Sequence, residues 1–86
     1  MREFTFTITD PQGIHARPAG QFIKEAAAFE GTSITIGKDG KDVDAKRILG
    51  VMSLGAKQGD EIVIKCDGGD EDAAAEKLEA FLKENL

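Results

Sequence analysis

Phe4, Phe6 and Ile8 alternate with Thr5, Thr7 and Thr9, a period of two that turns apolar side chains to one face of a strand and polar ones to the other. Asp10-Pro11-Gln12-Gly13 breaks the run with turn residues. From Ala16 the period changes. Ala19, Phe22, Ile23, Ala26 and Phe29 recur at helical intervals, with Gln21, Lys24 and Glu25 on the opposite face, and Gly31 is the expected stop of this helix. Thr32 to Ile36 is a β-rich run with Ile34 and Ile36 on one face. Gly37-Lys38-Asp39-Gly40 then supplies a turn, and Lys41 to Asp44 returns as the second arm of a hairpin. Ile48, Leu49, Val51 and Met52 crowd a span that predicts a helix of about two turns, stopped near Gly55. In a last strand from Asp60 to Cys66, Ile62, Ile64 and Cys66 face one way and Glu61, Val63 and Lys65 the other. Asp70 or a neighbour is the expected cap of a final helix, which carries Ala74, Leu78, Phe81, Leu82 and Leu86 at helical spacing.

The order β-α-β-β-α-β-α predicts an α+β fold. Each strand has a single apolar side, and an open-faced β-sandwich, with a four-stranded antiparallel sheet covered on one face by three helices, satisfies them all. Pattern alone does not separate this arrangement from a ferredoxin-like module. A chain of 86 residues makes one domain, 1–86, with a small core. It shows no repeat, linker or low-complexity segment.

Charge and composition narrow the function. The net charge is −5 and no basic cluster interrupts it, which argues against nucleic-acid binding. No apolar stretch approaches membrane-spanning length, and Met1-Arg2-Glu3-Phe4 runs straight into a strand without the apolar core of a signal peptide. A soluble, cytoplasmic protein is expected. A single cysteine forms no internal disulfide, and Cys66, at the end of an apolar run, reads as a buried small hydrophobe. One histidine and one cysteine do not make a metal ligand set. The acidic stretch Asp67-Gly68-Gly69-Asp70-Glu71-Asp72 lacks EF-hand spacing and reads as a solvated helix start. No metal and no cofactor are expected.

The chemistry concentrates in Gly13-Ile14-His15-Ala16-Arg17-Pro18-Ala19-Gly20, which sets the only histidine of the chain directly before the first helix. First-turn N–H groups have no intrahelical partners and, with the positive end of the macrodipole, form an anion site. Pro18 suits that turn because its missing N–H is no loss there, and Arg17 offers a guanidinium fork that fits phosphate. A lone histidine at a helix start is more often a surface or capping residue. Gly13, which permits close backbone approach, together with Arg17 and Pro18, points instead to a histidine that carries a phosphoryl group. Such a group would meet the N–H groups of Ala16 and Arg17 and the guanidinium.

The string GIHARPAG resembles the active-site signature of the HPr family, the histidine-containing phosphocarriers of the bacterial phosphoenolpyruvate-dependent sugar phosphotransferase system. Lys46-Arg47-Ile48-Leu49-Gly50-Val51-Met52-Ser53-Leu54-Gly55 resembles the second motif of that family, and the likeness runs the length of the chain. The resemblance implies that phosphorylated enzyme I passes its phosphoryl group to Nδ1 of His15 and that sugar-specific IIA domains accept it. The chain would then be a carrier rather than an enzyme, acting as a monomer. Ile48, Leu49 and Met52 would form the docking patch, at least two of them exposed, completed by Gly20, Gln21 and Lys24 of the first helix. An alternative is a regulatory module that signals to transcriptional or metabolic regulators through the phosphorylation state of His15, or a carrier of a nitrogen-related branch. A ligand-binding ferredoxin-like domain would leave His15 and Arg17 unexplained. Two departures stand out. Many HPr proteins of Gram-positive bacteria carry a regulatory serine where this chain has Arg47, so no regulatory serine is expected, and Ser53 reads as structural. One residue more than usual separates the two motifs, most simply accommodated in the hairpin around Gly37 to Gly40.

Overall fold

The period-two runs pair as an antiparallel sheet in a computed structural model that describes residues 1–86. The elements are β1 (Arg2–Thr7), α1 (Ala16–Ala27), β2 (Thr32–Lys38), β3 (Lys41–Asp44), α2 (Ile48–Ser53), β4 (Glu61–Gly68) and α3 (Glu71–Asn85). The strands lie in the order β1-β4-β2-β3, with Phe4 opposite Ile64, Ile36 opposite both Ile64 and Val43, and Arg2 opposite Cys66. This is the expected open-faced sandwich, and the strand order separates it from the ferredoxin-like module that shares its alternation of elements. Ile34, Ile36, Ile62, Ile64 and Cys66 point to the helices and are fully buried, against Phe22 and Ala26 of α1, Val51 of α2 and Leu78 and Leu82 of α3. Each large apolar side chain so buried contributes about 1.5–3 kcal/mol. Phe4 and Phe6 share that face but are only half-buried, because β1 is an edge strand.

Several local expectations meet a different outcome. β1 stops at Thr7, although Ile8 continues inward and its N–H donates to Asp60 O at 3.0 Å. α1 ends at Ala27, before Gly31, with its C-cap Ala28 still in a right-handed conformation. Phe29 N–H turns back to Ala26 O at 3.1 Å, and Lys46 Nζ donates to Phe29 O at 2.8 Å and to Thr32 O at 2.7 Å. The Ala28 and Phe29 N–H groups thus close the last turn on Glu25 O and Ala26 O without a glycine, and Lys46 ties down the segment that follows the helix. Asp70 occupies the N-cap position of α3, yet its side chain makes no capping bond. The neighbouring Glu71 does not cap the helix either: its carboxylate reaches back to accept Gly68 N–H of β4 at 3.3 Å and pairs with the Met1 amine at 2.7 Å. The Met1 amine first, and Gly68 N–H second, hold the Glu71 carboxyl below the usual range.

The hairpin turn is shorter than its four-residue motif. Asp39 and Gly40 alone make it, both at positive φ (53° and 83°), between the paired Lys38 and Lys41. This is the two-residue type I′ geometry that matches strand twist. Neither ladder of β2 contains a bulge. Cys66 is buried as expected, and burial pushes its thiol up, away from reactivity. No helix is long and apolar enough to cross a membrane.

Candidate functional site

The loop from Asp10 to Ile14 is stitched to the body of the protein. Asp10 Oδ1 accepts Gln12 N–H at 2.8 Å, and Asp10 O accepts Gly13 N–H at 2.9 Å. Gly13 lies at φ +66°, where a Cβ would run into the Ala56 carbonyl, so only glycine fits this turn. Ile14 N–H donates to the same carbonyl at 3.1 Å. The chain emerges with His15 as the N-cap of α1, extended at φ −111° and ψ 175°, its side chain making no capping bond. Its carbonyl accepts Ala19 N–H at 3.0 Å, while the N–H groups of Ala16 and Arg17 donate to no protein acceptor. Those two donors, followed by the N–H-less Pro18, are open to an anion.

His15 lines a hollow of about 230 Å³ together with Asp10, Arg17, Pro18, Gln21 and Asn85. Its side chain is 36% exposed, enough for attack from solvent or a docked partner. Arg17 is exposed, and its guanidinium makes no hydrogen bond or ion pair within the protein. His15 Nε2 lies 3.7 Å from Asp10 Oδ2. The start of α1 thus combines a nucleophilic ring, an unspent cation and two free amides. This is an arrangement suited to receiving and holding a phosphoryl group. Asp10 and Asn85 are the members that the sequence reading did not single out. Asp10 showed there only as a turn residue, and Asn85 not at all.

The second motif builds α2. Its N-cap is Arg47, with its side chain exposed and Nε 3.6 Å from Asp44 Oδ2. Six residues bury only one side of a helix, and Val51 takes it. Ile48 (46% exposed), Leu49 (83%) and Met52 (38%) all remain at the surface, a continuous apolar patch on a helix that packs against α1 and β3. Ser53 Oγ donates to Gly50 O at 2.6 Å within the same helix. The α1 residues expected beside this patch divide. Gly20 is half-buried, whereas Gln21 and Lys24 line a second hollow of about 440 Å³ with Glu25, Ala28 and Phe81. They lie on the stripe of α1 that faces α3, because residues 21, 24, 25 and 28 follow one helical row.

The family model described as the PTS HPr component phosphorylation site matches residues 2–84. The chain belongs to the HPr family. The phosphocarrier protein HPr of Mycoplasma genitalium is 40% identical over 85 residues, covering 99% of this chain and 97% of that protein. The HPr-like protein Crh of Bacillus subtilis is 43% identical over 74 residues, 86% of each chain. Among solved structures, the HPr of Thermoanaerobacter tengcongensis superposes with a TM-score of 0.92 at 39% identity, covering 98% of this chain and 93% of that one. As an HPr-family phosphocarrier of the phosphotransferase system, the chain has its single histidine at the start of α1 and its apolar patch on α2.

Proposed function

We propose that His15 accepts a phosphoryl group on Nδ1 from phosphorylated enzyme I and passes it to sugar-specific IIA domains, in the cytoplasm and without any cofactor. The observation that carries this reading is the pairing of an exposed imidazole with unspent donors, the Ala16 and Arg17 amides and the Arg17 guanidinium. The Nδ1 lone pair forms the new N–P bond as the donor's P–N bond breaks, and the departing donor nitrogen keeps the electron pair. The added dianion then meets the helix N-terminus, each charge-assisted contact contributing about 1 kcal/mol or more. The site is shallow and partly exposed, which keeps the phosphate available to the next acceptor. Ile48, Leu49 and Met52 serve as the docking patch, with Gly20 of α1 at its margin and Gln21 and Lys24 on the α3 side of that helix.

The test is incubation with enzyme I and labelled phosphoenolpyruvate. An acid-labile, base-stable phosphate on the natural chain, absent from His15→Ala, is expected. Because His15 makes no capping bond, the variant should lose about 1 kcal/mol of stability at most. Transfer that survives in it would end the assignment.

The likeness to Crh, a solved structure of which is described as the Bacillus subtilis catabolite repression HPr, favours a second reading, a module that docks regulators, and we take the phosphorylation state of His15 as the signal it would carry. Regulator binding that differs between phosphorylated and unphosphorylated chain, measured by calorimetry, would distinguish it.

A further inference from the structure

Asp10 is held more firmly than any turn residue requires. Its N–H donates to Leu86 O at 2.8 Å, its carbonyl accepts Gly13 N–H at 2.9 Å, and its Oδ1 accepts Gln12 N–H at 2.8 Å. Those three bonds fix the backbone and the rotamer. The one oxygen left unspent, Oδ2, lies 3.7 Å from His15 Nε2. Arg17 lines the same hollow but makes no ion pair with Asp10, so the carboxylate is left to the imidazole.

We propose that Asp10 is a positioning residue for His15, its Oδ2 keeping the ring proton on Nε2 and so leaving the Nδ1 lone pair free to take the phosphoryl group. A histidine has one lone pair when neutral, and the partner of one nitrogen decides which nitrogen bears it. At 3.7 Å the contact is longer than a hydrogen bond and acts through the field of the carboxylate, and such contacts tighten when the reaction develops charge. As Nδ1 bonds to phosphorus and the donor nitrogen leaves with its electron pair, the proton stays on Nε2 and the ring becomes cationic. Asp10 faces that charge, as the carboxylate of a catalytic triad faces its imidazolium. The inference rests on the reading of His15 as phosphoryl acceptor and goes beyond it, because a carboxylate five positions upstream then orients the nucleophile.

The experiment has two parts. Long-range ¹H–¹⁵N correlation spectra of the labelled chain alone give the tautomer of His15, with no partner present. The Nε2–H form should dominate in the natural chain. Asp10→Asn keeps the turn, since its amide oxygen still accepts Gln12 N–H, but turns an N–H donor toward Nε2, so the Nδ1–H form should grow. Asp10→Ser, which also supports such a turn without charge, gives the same answer should the first variant fold poorly. Initial rates of phosphorylation by enzyme I should fall about tenfold in either variant. An unchanged tautomer, or a shifted tautomer with an unchanged rate, overturns the role of Asp10. A natural chain that takes no phosphate at all overturns instead the phosphocarrier reading beneath it.

Discussion

At the scale of single residues, the site turns on groups that have no other employment. The Arg17 guanidinium is free of protein partners, so its fork is available to two phosphate oxygens at once. Arg17→Lys retains the charge and loses one of those bonds, about 1 kcal/mol. Rapid-quench transfer should slow by roughly fivefold, while calorimetric affinity for enzyme I stays the same. Arg47 argues the opposite case, a residue that removes a function. It caps α2 with its side chain exposed, where a phosphoserine would be favoured by the helix dipole. An arginine has no hydroxyl to modify. Incubated with ATP and a serine-directed HPr kinase, the natural chain should remain unlabelled and Arg47→Ser should take label; label at Ser53 would refute this. His15 and Arg17 were legible because a motif places them. Asp10 was not, because its link to His15 runs through the fold of the turn, and no spacing rule relates an aspartate to a histidine five residues on.

Among the elements, the short helix α2 shows how a single apolar cluster divides between core and surface. Val51 faces inward and its three apolar neighbours do not. Leu49→Glu should weaken enzyme I binding by about 1–3 kcal/mol and leave the urea midpoint unchanged, whereas Val51→Ala should cost about 2 kcal/mol of stability. The reverse pattern would show that the patch belongs to the core. The existence and kind of the longer elements could be read from periodicity, since two and 3.6 are distinct signals over their lengths, whereas β3 followed from the turn before it and α2 from a short apolar cluster. Their ends could not. α1 stops at Ala27, its last turn closed by backbone bonds to Glu25 O and Ala26 O without a glycine, and the hairpin tightens to Asp39-Gly40 because strand pairing extends through Lys38 and Lys41.

The connection before β4 carries a prediction of its own. Asp60 accepts Lys57 N–H at 2.8 Å and pairs with Lys38 Nζ at 3.0 Å, and these bonds, the backbone one first, hold its carboxyl below the usual range. A carboxyl lowered in the folded state stabilises the fold above its unfolded value, about 4, and loses that contribution as pH falls below it. Urea midpoints of the natural chain should therefore drop on acidification through this range, and Asp60→Asn should show a shallower drop. The clip closes the loop whose Ala56 carbonyl supports Gly13 and Ile14, so acid should loosen the bed on which His15 lies.

The molecule as a whole is an alternation of strands and helices that two architectures share, and what separates them is the order of strands in the sheet, a long-range property. The resemblance in two motifs selected the open-faced sandwich, and the TM-score of 0.92 to an HPr of known structure agrees with it. Placing β4 between β1 and β2 has a consequence for how the protein comes to be made. β1, the first strand to leave a ribosome, has no strand neighbour other than β4, the last. Phe4 and Phe6 must wait, with the β1 backbone unpaired, until residues 61–68 have emerged. Folding therefore begins late, by closing long loops, and refolding from denaturant should take milliseconds to seconds rather than microseconds. A nascent chain arrested before Glu61 should be unfolded, sensitive to protease along its whole length, and dependent on whatever shields an apolar edge until its partner arrives.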